Sequence, residues 1–555
     1  MRTCCCAWPA LLLTTLFAAG CGSESDASAT PGDAGVPESD VANVDADADL
    51  DMDADLDMDA DAAGDANVDI PTTRSAFGIF AGFTREFSTY EQAAGMNHAA
   101  YLDWAGQQYD QLGARWTRSN LQLLWDILEP DVGGPYDWSN QMGTEECFGA
   151  AASADVHYLA VFHEGGLFDD QLRDPLEQLE DYQRYVRDVV ERYDGDGVDD
   201  APGGIRISHW QVGNETPRFT QVNNGADIYV AWFTATAQAV RDADPDAKLV
   251  LVGSTDATKM DPLHLEVISR LAAQGVRFDA VDIHHWGTAS QVEIEAAPEY
   301  QALFDSLGLL DVEVWSTEHG TYVGHVAHAS GQCVPACTGG QICVQVGPEG
   351  HCFEPCTSDA QCPSTVPICD PVSGWCTEPD QSLTEQARSL VQRYVVNRDR
   401  GISLIMWNNL VAWHGFGGQV GGLYDRMGLV SGGFLEFETE ADRGQPRPSW
   451  YAFQSLATRT DELWAERLGP VDQSNPMAYV SAYRNRKTGV IGWVAWSREG
   501  TTTIERQTDG AVVRVTSFIT DESGTPTREE TIAASGEGVV SIPLELDPVW
   551  IEPQP

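Results

Sequence analysis

Residues 205 to 215 read IRISHWQVGNE. Ile205, Ile207, Trp210 and Val212 make a short run rich in β-branched and aromatic residues, Gly213 stops it, and a carboxylate follows. A strand buried in a parallel sheet looks like this when its C-terminal end carries polar residues. Working outward from that strand, Ile205 to Gly213, the same pattern recurs at Phe77 to Phe83, Arg115 to Ser119 and His157 to Phe162 upstream. Downstream it recurs at Lys248 to Gly253, Phe278 to His284, Val312 to Thr317 and Gly401 to Trp407. Segments of helical period lie between. Leu176, Leu179, Tyr182, Val186, Val189, Val190 and Tyr193 fall three or four residues apart, so one helix face buries them. Comparable helices are expected over Ile228 to Arg241, His264 to Gln274 and Leu383 to Asn397. Eight strand-helix units predict an α/β chain closed into a (β/α)8 barrel, over 73–330 and 378–460. A doubly wound open sheet is the alternative, but no GxGxxG or GxxxxGK[ST] follows the first strand.

Beyond Leu456 the period changes to alternating strand-like stretches, Met477 to Tyr483, Val490 to Ser497, Ala511 to Thr520 and Val539 to Leu546, separated by turn formers. This predicts a C-terminal antiparallel β-sandwich over 461–555. Trp493, Trp496 and Trp550 are its candidates for sugar contact, although aromatics in strands are more often core. At the other end, Arg2, the apolar run Ala7 to Phe17 and Ala18-Ala19-Gly20-Cys21 form an export signal over 1–21 with a lipobox-like end, which makes Cys21 the expected site of lipidation. Cleavage and release into the medium is the alternative. Either way the body is expected outside the cytoplasm, held to the envelope or cell surface by lipid or secreted. About sixteen acidic residues alternate with Ala, Leu, Met and Gly through 22–72, too little apolar mass to fold, so this stretch reads as a solvated linker.

Of thirteen cysteines, eight fall in one short segment, 331–377: Cys333, Cys337, Cys343, Cys352, Cys356, Cys362, Cys369 and Cys376. In an exported chain that is a small disulfide-rich insert, with connectivity left open among 105 pairings; zinc, lacking paired CxxC knuckles, is the weaker alternative. It follows the seventh strand, on the side of a barrel where loops frame the site, and reads equally as a ligand grip or an inert brace. Cys147, outside this cluster, is expected to be a buried thiol. The formal net charge of -53 argues against nucleic acid, which would be repelled, and leaves a lipid anchor as the only expected membrane contact.

Two glutamates sit at strand ends: Glu215 closes HWQVGNE after the fourth strand and Glu318 lies in VEVWSTEHG after the seventh. In a closed barrel both open onto one face. A carboxyl pair there suits cleavage of a glycosidic bond, one group protonating the leaving oxygen and the other supporting the oxocarbenium-like centre. Over Phe77 to Leu456 the chain resembles the clan A retaining glycoside hydrolases, which include families 5 and 39. The residues that carry the likeness are Trp210 to Glu215, Trp315 to Gly320, WDILEPDVGGPYDW at Trp125 to Trp138, RDADPDAKLVLVG at Arg241 to Gly253 and PRPSWYAFQSL at Pro446 to Leu456. The resemblance implies acid/base duty for Glu215, a covalent glycosyl ester at Glu318, a hydrogen bond from Asn214 to the sugar 2-hydroxyl, and site positions for Arg118, His284, His285, Trp286 and Trp407. An Arg near Glu318 would keep it ionised, and a less solvated Glu215 would hold its proton. His163, His284 and His285 are candidate donors to hydroxyls or to Glu318, Trp286 and Trp407 candidate stacking floors; barrel lining is the other reading for each. The insert, and a His-Trp pair where many members carry Tyr, are departures that leave the sugar open.

Competing chemistries lack their residues. HEGGL at His163 is not HExxH, and GxSxG is missing. Asp194, Asp196, Asp199 and Asp200 in YDGDGVDD resemble a short calcium loop without its twelfth-place Glu, so an acidic surface turn is the stronger reading. No chemical cofactor is therefore expected, and carbohydrate is the expected partner. A barrel that binds sugar without catalysis, as a surface-tethered adhesin, is the second reading; it has no need of both carboxyls.

Overall fold

The computed structural model describes residues 71–85, 96–169, 171–324, 379–413, 422–471, 475–508 and 510–554, with short stretches between 326 and 377. Eight parallel strands close the central sheet, and a ninth of two residues, His285–Trp286, pairs beside the seventh. The eight are β1 (Phe77–Phe80), β2 (Trp116–Leu123), β3 (His157–Phe162), β4 (His209–Val212), β5 (Lys248–Ser254), β6 (Ala280–Ile283), β7 (Glu313–Gly320) and β8 (Ile402–Trp407). Each pairs in parallel with the next, and β8 also pairs with β1, so the sheet closes on itself as the sequence predicts. Between the strands run α1 (His98–Leu112), α2 (Thr144–Ser153), α3 (Leu179–Tyr193), α4 (Gly225–Ala243), α5 (Pro262–Gln274), α6 (Ala297–Leu307) and α7 (Leu383–Asp399); α8 (Pro448–Thr460) follows β8.

Strand alternation sorts the side chains into two layers. Trp116, Leu159, Val250, Ala280, Trp315, Leu404 and Met406 fill the barrel interior, while the neighbouring positions, Ile405 and Trp407 among them, pack outward against the helices. Filling is tight enough that β1 needs a glycine: a Cβ at Gly78 would come within 2.8 Å of both Met406 and Trp116. On the outside, α3 buries Tyr182, Val186, Val189, Val190 and Tyr193 as its spacing predicts, and Tyr185 with them, while Leu179, expected on that face, is exposed at the first turn. Helix α7 begins with a reciprocal capping box, Ser382 with Glu385, which satisfies two otherwise orphaned backbone donors.

Several strand boundaries differ from expectation: β1 ends at Phe80 rather than Phe83, β2 runs on to Leu123 rather than Ser119, β6 is shorter at both ends, and two further differences bear on the site. Residues 205–208 stay outside the sheet because Ile207 N donates to Tyr193 O at the end of α3, so β4 starts only at His209. Strand β7 runs past Thr317 to Gly320, which puts Glu318 inside the strand rather than beyond it.

The C-terminal unit is antiparallel throughout. One sheet has the order β9 (Ala465–Pro470), β10 (Ala478–Asn485), β11 (Ile491–Ser497), β16 (Val549–Gln554), β13 (Val512–Ser517), β14 (Glu529–Ala533), and β12 (Thr502–Gln507) with β15 (Val539–Leu544) form the second. Trp496 and Trp550 are buried, Trp496 stacked on Tyr479 at 4.5 Å, and Trp493 packs against the sandwich core, so these three serve packing. Trp464, half exposed at 51%, is the aromatic this unit turns to solvent.

The segment expected to be a leader, with Cys21, the expected linker up to residue 70, and Cys333, Cys337 and Cys362 lie outside the described residues. In the insert, backbone register sets Cys343 opposite Cys352 and Cys369 opposite Cys376, and Cys356 is buried and disulfide-bonded. Cys147 is a buried thiol, its Sγ 3.9 Å from His98 Nε2. Among the described residues no helix is long and apolar enough to cross a membrane.

Candidate active site

The C-terminal mouth of the barrel collects the polar residues that alternation leaves pointing inward. On β2, Arg118 lies two positions after the interior Trp116 and is fully buried. Its guanidinium is spent on three acceptors: Nη1 donates to Glu318 Oε1 at 2.7 Å, Nε to Gln211 Oε1 at 2.6 Å, and Nη2 to Asn214 Oδ1 at 2.8 Å. A planar fork from β2 that reaches β7, β4 and the segment just past the end of β4 fixes the geometry of everything it touches.

Glu318 reaches this fork because β7 is bulged. Against β8 the register runs Ile405 with Ser316 and then Trp407 with His319, three steps on one strand for two on the other. The extra residue shifts the alternation, so that Thr317 and Glu318 both face the interior side and His319 turns out. Asp282, on β6, uses Oδ1 to accept from Thr317 N at 2.9 Å, and its Oδ2 accepts from Thr317 Oγ1 at 2.6 Å and Gln211 Nε2 at 2.8 Å.

His284, one residue past the end of β6, joins the carboxyls. Its Nδ1 donates to Glu215 Oε1 at 2.9 Å and lies 3.8 Å from Glu318 Oε1, while Nε2 donates to Asp282 Oδ2 at 3.1 Å. Burial opposes charge on the imidazole, but Glu318, Asp282 and Glu215 outweigh it and hold its pKa up at about 10. Burial also works against ionisation of Asp282, yet His284, Arg118 and Thr317 keep that carboxyl well below its usual range. Burial raises the Glu318 carboxyl, with Glu215 adding to the rise and His284 and Arg118 pulling it back. Three carboxyls thus face two cations, and one additional proton balances the set.

Glu215, Glu318 and His284 bring one ligand-capable atom each within 4.8 Å of one another. The trio has the residue types of a metal site, and in this arrangement His284 Nδ1 and Nε2 each lie within hydrogen-bond distance of a carboxylate oxygen, Glu215 Oε1 and Asp282 Oδ2.

Glu215 stands on the rim. The chain after β4 continues beside β5 through a single bridge from Glu215 to Gly253, with Gly253 N donating to Asn214 O and Thr216 N to Gly253 O. Beneath it, fully buried Glu164 accepts Asn214 N at 2.8 Å and faces Arg218 at 3.4 Å. Burial would raise the Glu164 carboxyl, but His163, Arg218 and the Asn214 N–H lower it below the ordinary value. The solvation of the pair is the reverse of the expected one. The Glu318 side chain is 6% exposed and that of Glu215 28%, because Glu318 sits within its strand while Glu215 lies past the end of its own.

The structure brings Arg118, Asn214, Glu215, His284 and Glu318 into one contact network, with Trp286 beside it, its ring 5.5 Å from His284. His163, at the end of β3, is held by Gly165 N donating to its Nδ1 at 2.9 Å, and burial lowers its pKa. Two expected residues fall elsewhere. His285 alternates outward and accepts from Arg393 of α7 at 3.2 Å. Trp407 also points outward, is fully buried, and donates Nε1 to Met427 O at 3.0 Å, so it has no face to offer a sugar. In the acidic turn, Asp194 and Asp196 come together with Glu191 rather than Asp199, and Asp194, Asp196 and Asp200 accept from backbone N–H groups of their own loop.

Several residues of the site are not evident from the sequence. Asp282 and Gln211 carry a signal, each two positions along a strand from another interior residue. Glu164 lies in the HEGGL run, where a metal motif is the more obvious thing to look for. Phe80, Trp413 and Tyr424, which complete the wall of the mouth, carry none, the last two lying in the long segment after β8.

Fold and site together define a (β/α)8 barrel with a carboxyl pair and a two-cation network at its C-terminal mouth. Among solved structures the chain is similar to a glucosidase from Croceicoccus marinus, at 15% identity over 81% of this chain and 91% of that one, with a TM-score of 0.51. It is also similar to a family 51 α-L-arabinofuranosidase from Bifidobacterium longum, at 10% identity over 87% and 96%, with a TM-score of 0.48. The first of these supports the barrel fold that the clan A resemblance implied. No protein-family model and no curated protein matches the sequence.

Proposed function

We propose that this chain is a retaining O-glycoside hydrolase acting outside the cytoplasm on oligo- or polysaccharide, with Glu318 as nucleophile and Glu215 as acid/base. The observation that carries the reading is the closeness of the two carboxyls, whose nearest oxygens lie within 4.8 Å. Retaining enzymes hold their carboxyl groups about 5 to 5.5 Å apart, whereas inverting ones leave about 6.5 to 9.5 Å for a water.

In the first step Glu318 attacks the anomeric carbon as the glycosidic C–O bond breaks, and the Glu215 proton goes to the departing oxygen, leaving a glycosyl ester. In the second, Glu215 takes a proton from water, the resulting hydroxide attacks the same carbon, and the Glu318 carboxylate leaves. Arg118 favours the ionised Glu318 by donating to Oε1 at 2.7 Å, and also fixes the Asn214 amide by donating to its Oδ1, which leaves Nδ2 to face a substrate hydroxyl. His284 ties the two carboxyls into one charge network. The leader with Cys21 supports export and tethering by lipid. NMR of the first-formed anomer tests the mechanism: retention is expected, and net inversion overturns it. A non-catalytic sugar-binding role would show as binding without turnover across a polysaccharide panel.

A further inference from the structure

The mouth has two unlike walls. From His284 a run of ring contacts leads to Trp286 at 5.5 Å, on to Tyr424 at 5.6 Å, Trp413 at 5.5 Å and Phe80 at 6.2 Å, and ends under Arg118, whose guanidinium lies 5.5 Å from the Phe80 ring centre. The arc therefore begins at the partner of Glu215 and ends at the partner of Glu318, framing one side of the carboxyl pair with aromatic surface. Trp286 and Tyr424 are its half-buried members, and Trp286 Nε1 has no hydrogen-bond partner. With Trp407 turned outward, these two rings are where a sugar can lie.

The rest of the mouth, from β2, β6, β7 and the segments after β3 and β4, is polar, and among the described residues its charges are matched. Arg118 is bonded to Glu318, His284 to Glu215 and Asp282, and Arg218 faces Glu164 at 3.4 Å. A uronate carboxylate entering here would meet, among the described residues, cations already committed to carboxylates. The negative charge of the whole chain acts in the same direction at long range.

We propose that the site takes a neutral pyranose, its C–H face laid against the Tyr424 ring with the Trp286 ring, perpendicular to it at 89°, along the pyranose edge, and discriminates against uronic acids. This rests on the glycosidase reading and names its substrate class. The test is calorimetry on the full chain with thio-linked, hydrolysis-resistant disaccharides, neutral (glucose, galactose, xylose) against uronate (glucuronic, galacturonic). At least one neutral ligand should bind about 10-fold or more tighter than its uronate counterpart. Tyr424→Ala should weaken it by about 10-fold, as expected for loss of a ring contact, while Tyr424→Phe retains it. If the alanine variant does not fold, Tyr424→Leu reads the same loss. Equal or tighter binding of uronates, no binding of either class, or indifference to Tyr424 overturns the proposal. Turnover of aryl glycosides by the same preparation reports separately: uronide-only hydrolysis defeats the neutral-sugar assignment and leaves the glycosidase, whereas neutral-selective binding with no turnover defeats the glycosidase and leaves the binding site.

Discussion

Glu318 and Glu215 are the same residue type in different surroundings, and their chemistry should separate accordingly. Glu318→Gln keeps the shape and removes the nucleophile, so turnover should fall by several orders of magnitude for every leaving group. Glu215→Ala should cost far more on substrates that need protonation than on activated aryl glycosides, and added azide should restore rate with the latter by attacking the stranded ester. If both variants lose activity equally on all substrates and azide does nothing, the two roles are wrong. The pH profile gives a second handle. A nucleophile must be ionised, and burial raises the Glu318 carboxyl, so activity should be lost on acidification at a higher pH than an ordinary glutamate, about 4.3, would give. Arg118→Lys, which gives up the fork and weakens a pull toward lower pKa, should move that acid limb of kcat/KM further up; an unmoved or lowered limb counts against the pairing.

Individual strands turn these residues into a site, and here the bulge in β7 and the close passage of β5 decide the outcome. A Cβ at Gly253 would sit 2.4 Å from His284 Nε2 and 2.9 Å from Asn214 O. The glycine is thus what lets β5 pass beneath the imidazole. Gly253→Ala should displace His284 from Glu215 and Asp282 and lower kcat about 10- to 100-fold, with KM changed little and the fold retained by circular dichroism. Wild-type kcat in that variant would show that His284 is not needed where it stands. The strands themselves are legible in the sequence because fully buried strands are runs of Val, Ile and aromatics whatever they carry at their ends. The ends are less so. Glu318 enters the mouth through a register shift that no residue type marks, while His285 and Trp407, expected there, alternate outward. Period-2 reasoning applied strictly from Trp116, Leu404 and Ala280 gives Arg118, Met406 and Asp282 as the inward residues. It leaves Trp407 outside.

At the level of the whole molecule, barrel and sandwich are joined by buried polar contacts as well as by packing. Asp399, at the end of α7, has a side chain only 2% exposed and accepts from Tyr479 Oη at 2.9 Å, Ser481 Oγ at 3.1 Å and Arg467 Nη1 at 3.3 Å, all from the sandwich. Beside it Arg398 donates to Thr460 O at 3.0 Å and to Glu462 at 2.9 Å, and Arg388 donates to Asp547 at 2.7 Å. Removing one acceptor that serves three donors leaves buried Ser481 and part-buried Tyr479 short of a partner, which costs more than the bonds themselves contribute, while Arg467, 30% exposed, can turn to water. Asp399→Ala should therefore destabilise the protein by about 2 to 4 kcal/mol and lower its Tm by several degrees, without altering the barrel mouth. Asp399→Asn, which keeps an acceptor oxygen but not the charge opposite Arg467, should fall between. Wild-type unfolding followed by tryptophan emission and by calorimetry should be one transition, because the hydrogen bonds that Asp399 accepts tie a barrel helix directly to sandwich strands. A sandwich that melts separately in the wild type, or an alanine variant of unchanged Tm, would show that the two units are independent and that Asp399 only decorates the seam.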